Sequence, residues 1–170
     1  MHSLELMKQY LPALLKALPT TLYLLFISVF FALILGFFLA WAEVGRIRPL
    51  KGIASVFISF MRGTPMLVQI LLIFILIPMI AYQNGVDTNN WNPSLYAIVA
   101  FSLNESAFFA EIFRSAYLSL DRGQMEAAES LGMNKWQLFR RVIFPQAAAS
   151  ALPNTTNMIL ELMKNTSIEP

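Results

Sequence analysis

Long apolar stretches without a charged residue dominate this sequence. No Lys, Arg, Asp or Glu lies between Lys16 and Glu43, and none lies between Arg62 and Asp87. A helix needs about 20 mostly apolar residues to cross the ~30 Å hydrocarbon core of a bilayer. Only 13% of the 170 residues are charged, about half the share in a soluble domain. The sequence therefore predicts an all-α, polytopic bundle of transmembrane helices that forms a single domain over residues 1–170.

We place four membrane spans along the chain. The third is uncharged at its start and continues as a helix through charged residues, and the fourth is uncharged over most of its length but rich in Asn and Thr. Thr64 and Pro65 are typical of a helix start, with Thr as N-cap and Pro at the first helical position. The four predicted spans lie near residues 18–42, 63–82, 93–114 and 142–163.

The first span carries a pattern that a signal peptidase could cleave. Ala40-Trp41-Ala42 has the small residues of such a site. However, the apolar run before it is longer than the 7–15 or so residues of a signal peptide. We therefore expect the first span to remain as an uncleaved helix.

The basic residues lie mainly in two connecting segments, 43–62 and 114–141, whereas the polar loop 83–92 has none. Segments rich in Lys and Arg remain in the cytoplasm. This rule places the first two segments inside and the loop outside, although Lys8 and Lys16 argue mildly against an outside N-terminus. We predict a multi-pass protein of the cell membrane with segment 121–145 on the cytoplasmic side.

Segment 121–145 has the local signals of a helical hairpin. Asp121 can cap a first helix, and Gly132 suits the left-handed backbone that ends one. Asn134 can then cap a second helix, with Gln137 at the third position in a capping-box arrangement. This amphipathic second helix leads to the proline at the end of the segment, where we expect the chain to re-enter the membrane.

Two interpretations of this hairpin stay open on residues alone. Ala127 and Ala128 are small enough for another protein to approach closely, and Glu126 offers charge to a basic partner surface. Alternatively, the hairpin lies on lipid with Trp136 and the arginines at headgroup level. The acidic first helix slightly favours a protein partner, because glutamates sit poorly against anionic lipid.

Several chemistries are excluded by missing residue types. The chain has no Cys, its one His is His2, and its net charge is only +2. We therefore expect no disulfide, no thiol catalysis and no metal site built from Cys or His, and the small net charge gives no reason to expect nucleic-acid binding. We also expect no cofactor and no catalytic residues. The phosphate-binding pattern G-x-x-x-x-G-K-[ST] is also absent, so any ATP hydrolysis would take place in another chain.

Polar residues recur every three or four positions along the fourth span. At about 100° per residue they share one face of a helix, which must avoid lipid. This face either lines a translocation path or bonds to neighbouring helices; we favour the path for Asn154 and Asn157 and bonding for Ser150. The set is Ser150, Asn154, Asn157, Glu161 and Lys164.

The third span carries three charged residues of interest. Glu111 and Arg114 are three apart and could pair on the helix surface. Glu105 is deeper and has no local partner in the sequence. It could pair with Arg62 or with another chain.

The spacing of Glu126, Ala127, Ala128, Gly132 and Pro145 resembles the EAA motif of the permease subunits of bacterial ABC importers. Three further stretches resemble the polar amino-acid branch of that family, with its histidine, glutamine and cystine permeases. They are "FMRGTPMLVQ" (60–69), "AEIFRSAYLSLDRGQMEAA" (110–128) and "LMKNTS" (162–167).

The resemblance implies that the hairpin couples the chain to a separate ATP-binding subunit through the five motif positions. It also implies a second permease subunit, identical or related, and an extracytoplasmic substrate-binding protein. The chain itself would not be an enzyme but would move a polar amino acid inward by alternating access. Family members typically have a fifth span after the "K-x-T-S" stretch, so we expect that span to be missing from a chain ending at Pro170.

Two other function classes stay open without the resemblance. A secondary transporter or channel would use the polar face of the fourth span as its pore and rest the hairpin on lipid. A membrane-anchored assembly protein would use the same face for adhesion alone.

Overall fold

The computed structural model describes residues 2–168, with side chains at 11, 12 and 15–164. This part of the chain is helical and contains no strand, as the sequence predicts. The helices are α1 (His2–Val44), α2 (Arg48–Gly63), α3 (Met66–Gln83), α4 (Pro93–Leu118), α5 (Arg122–Ser130), α6 (Lys135–Leu138) and α7 (Phe144–Ile168), with a π-helical turn at Phe139–Ile143 between α6 and α7.

Helix α4 is the centre of the fold and packs against α1, α2, α3 and α7. Its closest neighbour is α1, because Gly36 of α1 lies directly against the α4 backbone. A Cβ atom at Gly36 would lie 2.8 Å from Phe109 Cβ and 3.0 Å from the Ser106 carbonyl oxygen. Ala107 and Ala110 of α4 are fully buried in the same region. Small residues therefore set the distance between the two helices.

Three helices in the described part of the chain are long and apolar enough to cross a membrane: Leu15–Val44, Met66–Gln83 and Pro93–Leu118. Helix α7 covers the region of our fourth predicted span, but its Asn, Thr and Gln residues lower its hydropathy and it is not among the three. The fourth span therefore stays a prediction.

Helix α2 overlaps segment 43–62, for which the sequence predicts only a basic connection. It changes the role of Thr64, whose predicted function as an N-cap is wrong. The Thr64 hydroxyl donates to the Phe60 carbonyl oxygen at 2.9 Å, on the last turn of α2. Helix α3 begins at Met66 without a side-chain cap. The hydroxyl bonds backward because α2 supplies a free carbonyl within reach.

Candidate functional site

Both helix starts in the hairpin are capped as predicted. The Asp121 carboxylate accepts a hydrogen bond from the Gly123 amide at 2.8 Å, at the start of α5. At the start of α6, Asn134 Oδ1 accepts from the Gln137 amide at 2.9 Å. Gln137 Oε1 accepts in return from the Asn134 amide at 3.0 Å, which completes the capping box. Each cap satisfies amide groups that a helix start leaves without partners.

The turn between the two hairpin helices is fixed by Gly132. Its φ of +77° is the left-handed conformation that we predicted. The Gly132 amide donates to the Glu129 carbonyl at 2.9 Å, and the Met133 amide donates to the Ala128 carbonyl at 3.2 Å. These two bonds form a Schellman motif, the common glycine ending of a helix. The hairpin therefore has a defined shape that local sequence determines.

The second hairpin helix does not stop at Pro145 but runs into α7 through the π-turn. A proline inside an α-helix removes one backbone hydrogen bond and crowds the carbonyl four residues earlier, here that of Arg141. The wider π-turn lies directly before Pro145, where it can accommodate this conflict. The hairpin and the following helix thus form one continuous rod with a local widening.

The exposed surface of the hairpin contains three of the predicted coupling residues on its first helix and turn. Glu126, Ala127 and Gly132 are exposed, whereas Ala128 is only 5% exposed and packs inside the hairpin. Pro145 is exposed at the start of α7. A shallow groove of about 280 Å³ runs beside this surface. Its lining is Tyr117, Leu118, Leu120, Arg122, Met125, Glu126 and Glu129.

Two contacts join the hairpin region to helix α7. Gln146 Nε2 donates to Gln124 Oε1 at 2.7 Å, which connects α5 with the start of α7. The hydroxyls of Ser119 and Ser150 lie 3.3 Å apart, which connects the end of α4 with α7. The hairpin is therefore hydrogen-bonded to the start of α7, and α7 is in turn linked to the end of α4.

The predicted polar face of α7 points away from the rest of this chain. All five of its residues are exposed in the single chain, whereas Ala151 and Leu162 of the same helix are buried against the bundle. Only Ser150 has one of the described interhelical contacts, to Ser119. The exposed set is Ser150, Asn154, Asn157, Glu161 and Lys164.

Charged residues cluster where α1, α2 and α4 meet. Arg114 Nε donates to Glu111 Oε2 at 3.0 Å, which confirms the predicted local pair. Arg114 Nε also lies 3.3 Å from Glu43 Oε2 of α1, a partner that the sequence did not indicate. Arg62 Nη1 of α2 lies 3.7 Å from Glu111 Oε2, with its guanidinium over the Phe108 ring. This ion cluster holds the three helices together at one end of the bundle.

Glu105 is buried in the middle of α4. It is 2% exposed, and its Oε2 has no hydrogen-bond partner among the described residues. Arg62, which the sequence offers as a partner for Glu105, pairs with Glu111 instead. Burying a carboxyl group with an unsatisfied oxygen is costly in an apolar interior.

An amide network lies next to Glu105 between α4 and α3. Asn104 Nδ2 donates to Gln69 Oε1 at 2.9 Å. Gln69 Nε2 in turn donates to the Met61 carbonyl at 2.8 Å and to Thr64 Oγ1 at 2.6 Å. The network fixes the start of α3 against α2 and α4. No group of His, Cys, Asp and Glu in the described part of the chain could hold a metal ion.

Comparison with known proteins gives consistent results. Residues 32–168 match the family described as "Binding-protein-dependent transport system inner membrane component". The L-cystine transport system permease protein TcyL of Bacillus subtilis is 39% identical over 165 residues, which are 97% of this chain and 69% of that protein. The probable amino-acid permease protein YxeN of Bacillus subtilis is 40% identical over 164 residues, 96% of this chain and 71% of that protein.

Solved structures show the same fold. The crystal structure of an amino acid ABC transporter with histidines superposes with a TM-score of 0.80 at 36% identity, over 95% of this chain and 72% of that one. An inward-facing structure of the MetNI methionine ABC transporter superposes with a TM-score of 0.67 at 23% identity, over 92% of this chain and 72% of that one. The second likeness is one of fold alone.

Proposed function

Because this chain belongs to the family of inner membrane components of binding-protein-dependent transport systems, we propose that it is the permease subunit of an ATP-driven importer for a polar amino acid. The names of its relatives support the substrate class, since they include permeases for cystine and other amino acids. The observation that carries the coupling role is the exposed hairpin, which is capped at both helix starts and hydrogen-bonded to the start of α7.

In such a transporter, ATP hydrolysis, membrane passage and substrate capture belong to different subunits. A separate ATP-binding subunit docks on the hairpin, at Glu126, Ala127 and the Gly132 turn. Ala128 and Pro145 contribute indirectly, Ala128 by packing inside the hairpin and Pro145 by shaping the start of α7. A second permease subunit completes the membrane part, and an extracytoplasmic binding protein delivers the substrate. This arrangement places the hairpin in the cytoplasm, as the distribution of basic residues favours.

Motion of the docked subunit reaches the membrane through the two helices that leave the hairpin. When ATP binding draws two such hairpins together, α4 and α7 of each permease tilt with them. The bundle then alternates between inward-open and outward-open forms. The polar face of α7, with Asn154, Asn157, Glu161 and Lys164, lines the path, which explains why these side chains are exposed in a single chain.

Docking is tested by purifying the protein in detergent with its candidate ATP-binding subunit. Glu126→Lys reverses a charge on the exposed hairpin surface and should abolish association. Asp87→Lys makes the same charge change on the loop between α3 and α4 and should leave it intact. Association that survives Glu126→Lys, or that fails for the unaltered protein, would contradict the proposed docking.

The path is tested by amino-acid uptake into proteoliposomes that contain the assembled transporter. Asn157→Ala should lower uptake at least several-fold without loss of assembly, because it removes a polar group from the proposed path. Thr156→Ala is the matched control, since that hydroxyl already bonds to the Leu152 carbonyl at 2.9 Å and lies about 100° around the helix. Equal uptake by the two variants would contradict the proposal that α7 lines the path.

A further inference from the structure

Helix α2 combines a basic start with an apolar surface that the rest of the chain leaves uncovered. Ile53, Val56 and Phe60 are 70%, 71% and 51% exposed. On the other side of the helix, Ala54 and Ile58 are buried against the bundle. We call the three exposed apolar residues, together with the basic residues Arg46 just before the helix and Arg48 and Lys51 at its start, the α2 surface.

The polar and apolar residues of α2 occupy separate sides. At about 100° per residue, Arg48, Ser55 and Ser59 fall within one arc of the helix, and Ile53 and Phe60 fall within another. A shallow apolar groove of about 460 Å³ lies along this second arc. Its lining is Gly52, Ile53, Val56, Phe57 and Phe60. Such a division is typical of a helix lying at a boundary between water and lipid.

The ion cluster favours a course of α2 along the membrane surface rather than across it. The helix begins shortly after the end of α1 and has 16 residues, a length of about 24 Å. Its last turn carries Arg62, which reaches Glu111, and Arg114 links Glu111 to Glu43 near the end of α1. Both ends of α2 therefore lie close to the depth at which α1 ends.

The charge on the α2 surface is of one sign. No acidic residue occurs in the sequence from 44 to 86. Arg46, Arg48 and Lys51 are exposed and have no ion-pair partner among the described residues. The fourth basic residue of the region, Arg62, belongs to the ion cluster. A basic group beside an exposed apolar groove complements a ligand with an anionic head and an apolar tail.

We propose that the α2 surface binds an anionic phospholipid, with the phosphate at Arg46, Arg48 and Lys51 and an acyl chain in the groove beside Val56 and Phe60. The proposal rests on the membrane orientation given under the proposed function, which places α2 at the cytoplasmic leaflet, where basic residues meet anionic headgroups. A second copy of the chain fits this surface less well, because a symmetric contact would bring the two basic groups together.

Lipid binding is measured on the purified protein in detergent by native mass spectrometry. The probes are phosphatidylglycerol and phosphatidylcholine with identical acyl chains. The unaltered protein should bind phosphatidylglycerol at least tenfold more tightly, since each basic residue near an anionic surface contributes about fivefold. The triple variant Arg46→Gln/Arg48→Gln/Lys51→Gln should lose this preference. Equal binding of the two lipids by the unaltered protein would overturn the proposal.

A matched variant separates the site from the net charge of the protein. Arg122→Gln/Lys135→Gln/Arg140→Gln removes three exposed basic residues from the hairpin instead. The control should keep the preference for phosphatidylglycerol, whereas a loss equal to that of the α2 triple would contradict a local site. The assay contains neither substrate nor ATP-binding subunit, so its failure and failure of the importer proposal can be told apart.

The apolar half of the surface is tested with single cysteines, for which this cysteine-free chain is well suited. A bimane label at Val56→Cys should be quenched by lipids with brominated acyl chains in nanodiscs, as strongly as one at Phe30→Cys on α1. A label at Leu131→Cys on the hairpin turn should be quenched far less. Absence of quenching at Val56→Cys, or a disulfide formed there between two copies in the membrane, would show that protein covers the groove.

Discussion

Replacing Gly36 by alanine would place a methyl group directly against the backbone of α4. The new Cβ would lie 2.8 Å from Phe109 Cβ, 3.0 Å from the Ser106 carbonyl oxygen and 3.1 Å from the Ala110 amide nitrogen. Two carbon atoms in contact normally lie about 3.5–4.0 Å apart. Because two of the three neighbours are backbone atoms, no side-chain rotation can relieve the clash. The helices α1 and α4 would have to separate by roughly 0.5–1 Å.

The cost of this separation can be set against the higher helix propensity of alanine. Overpacking of a tight core typically costs about 1–3 kcal/mol, and the backbone contacts at Gly36 place it at the upper end. Alanine regains about 1 kcal/mol relative to glycine in a helix interior. The net loss of stability for Gly36→Ala should therefore be about 2 kcal/mol. Gly52→Ala is the matched control, because nothing lies within 4 Å of its new Cβ.

Thermal unfolding of the two variants in detergent, followed by circular dichroism, measures the difference. For a chain of this size, 1 kcal/mol corresponds to about 2–4 °C in Tm. Gly36→Ala should lower Tm by about 4–8 °C, and Gly52→Ala should raise it by about 2–4 °C. A Tm for Gly36→Ala at or above that of Gly52→Ala would refute the close packing of α1 on α4.

Three further variants test single features of the site. Gly132→Ala should destabilise the hairpin by about 1–2 kcal/mol, because position 132 has a positive φ, and Gly132→Asn should destabilise it by less. Amide exchange rates in α5 that are equal in Gly132→Ala and the unaltered protein would contradict the left-handed turn. Glu105→Gln should leave Tm unchanged or higher, because Oε2 of the carboxyl has no hydrogen-bond partner among the described residues. A lower Tm would show that the carboxyl does have a partner. Arg114→Gln should lower stability by about 1–2 kcal/mol, because it leaves Glu43 without its cation and Glu111 with Arg62 alone. Adding Glu43→Gln should restore part of that loss, and simple additivity of the two changes would contradict the contact.

The hairpin could be predicted from the sequence because each of its signals is local. The caps at Asp121 and Asn134 act on amides two or three residues away. The Gly132 turn depends only on one backbone angle and on carbonyls of the preceding helix turn. Neither signal depends on what the hairpin packs against, so tertiary contacts do not override them.

The packing between helices could not be predicted in the same way. Gly36 meets Phe109, and Glu43 meets Arg114, across about seventy residues of sequence. A single sequence does not record which of several glycines or glutamates faces which helix. The prediction for Thr64 was wrong for a related reason, since its hydroxyl could bond to the helix before it or to the helix after it. Its actual partner lies in helix α2, which we did not predict from the sequence because the segment is rich in basic residues.

The two helices that leave the hairpin are held with different firmness. The end of α4 is fixed to α1 and α2 through the cluster around Arg114. Helix α7 begins instead after a π-turn, and the residues of its polar face are exposed, with Ser150 alone in one of the described interhelical contacts. Since π-turns are points at which helices bend, a displacement of the hairpin would move α7 relative to α4 more easily than it would move α4 within the bundle. Under the proposed function, the polar face of α7 is thus the part of the path that responds most to the docked subunit, while α4 tilts less.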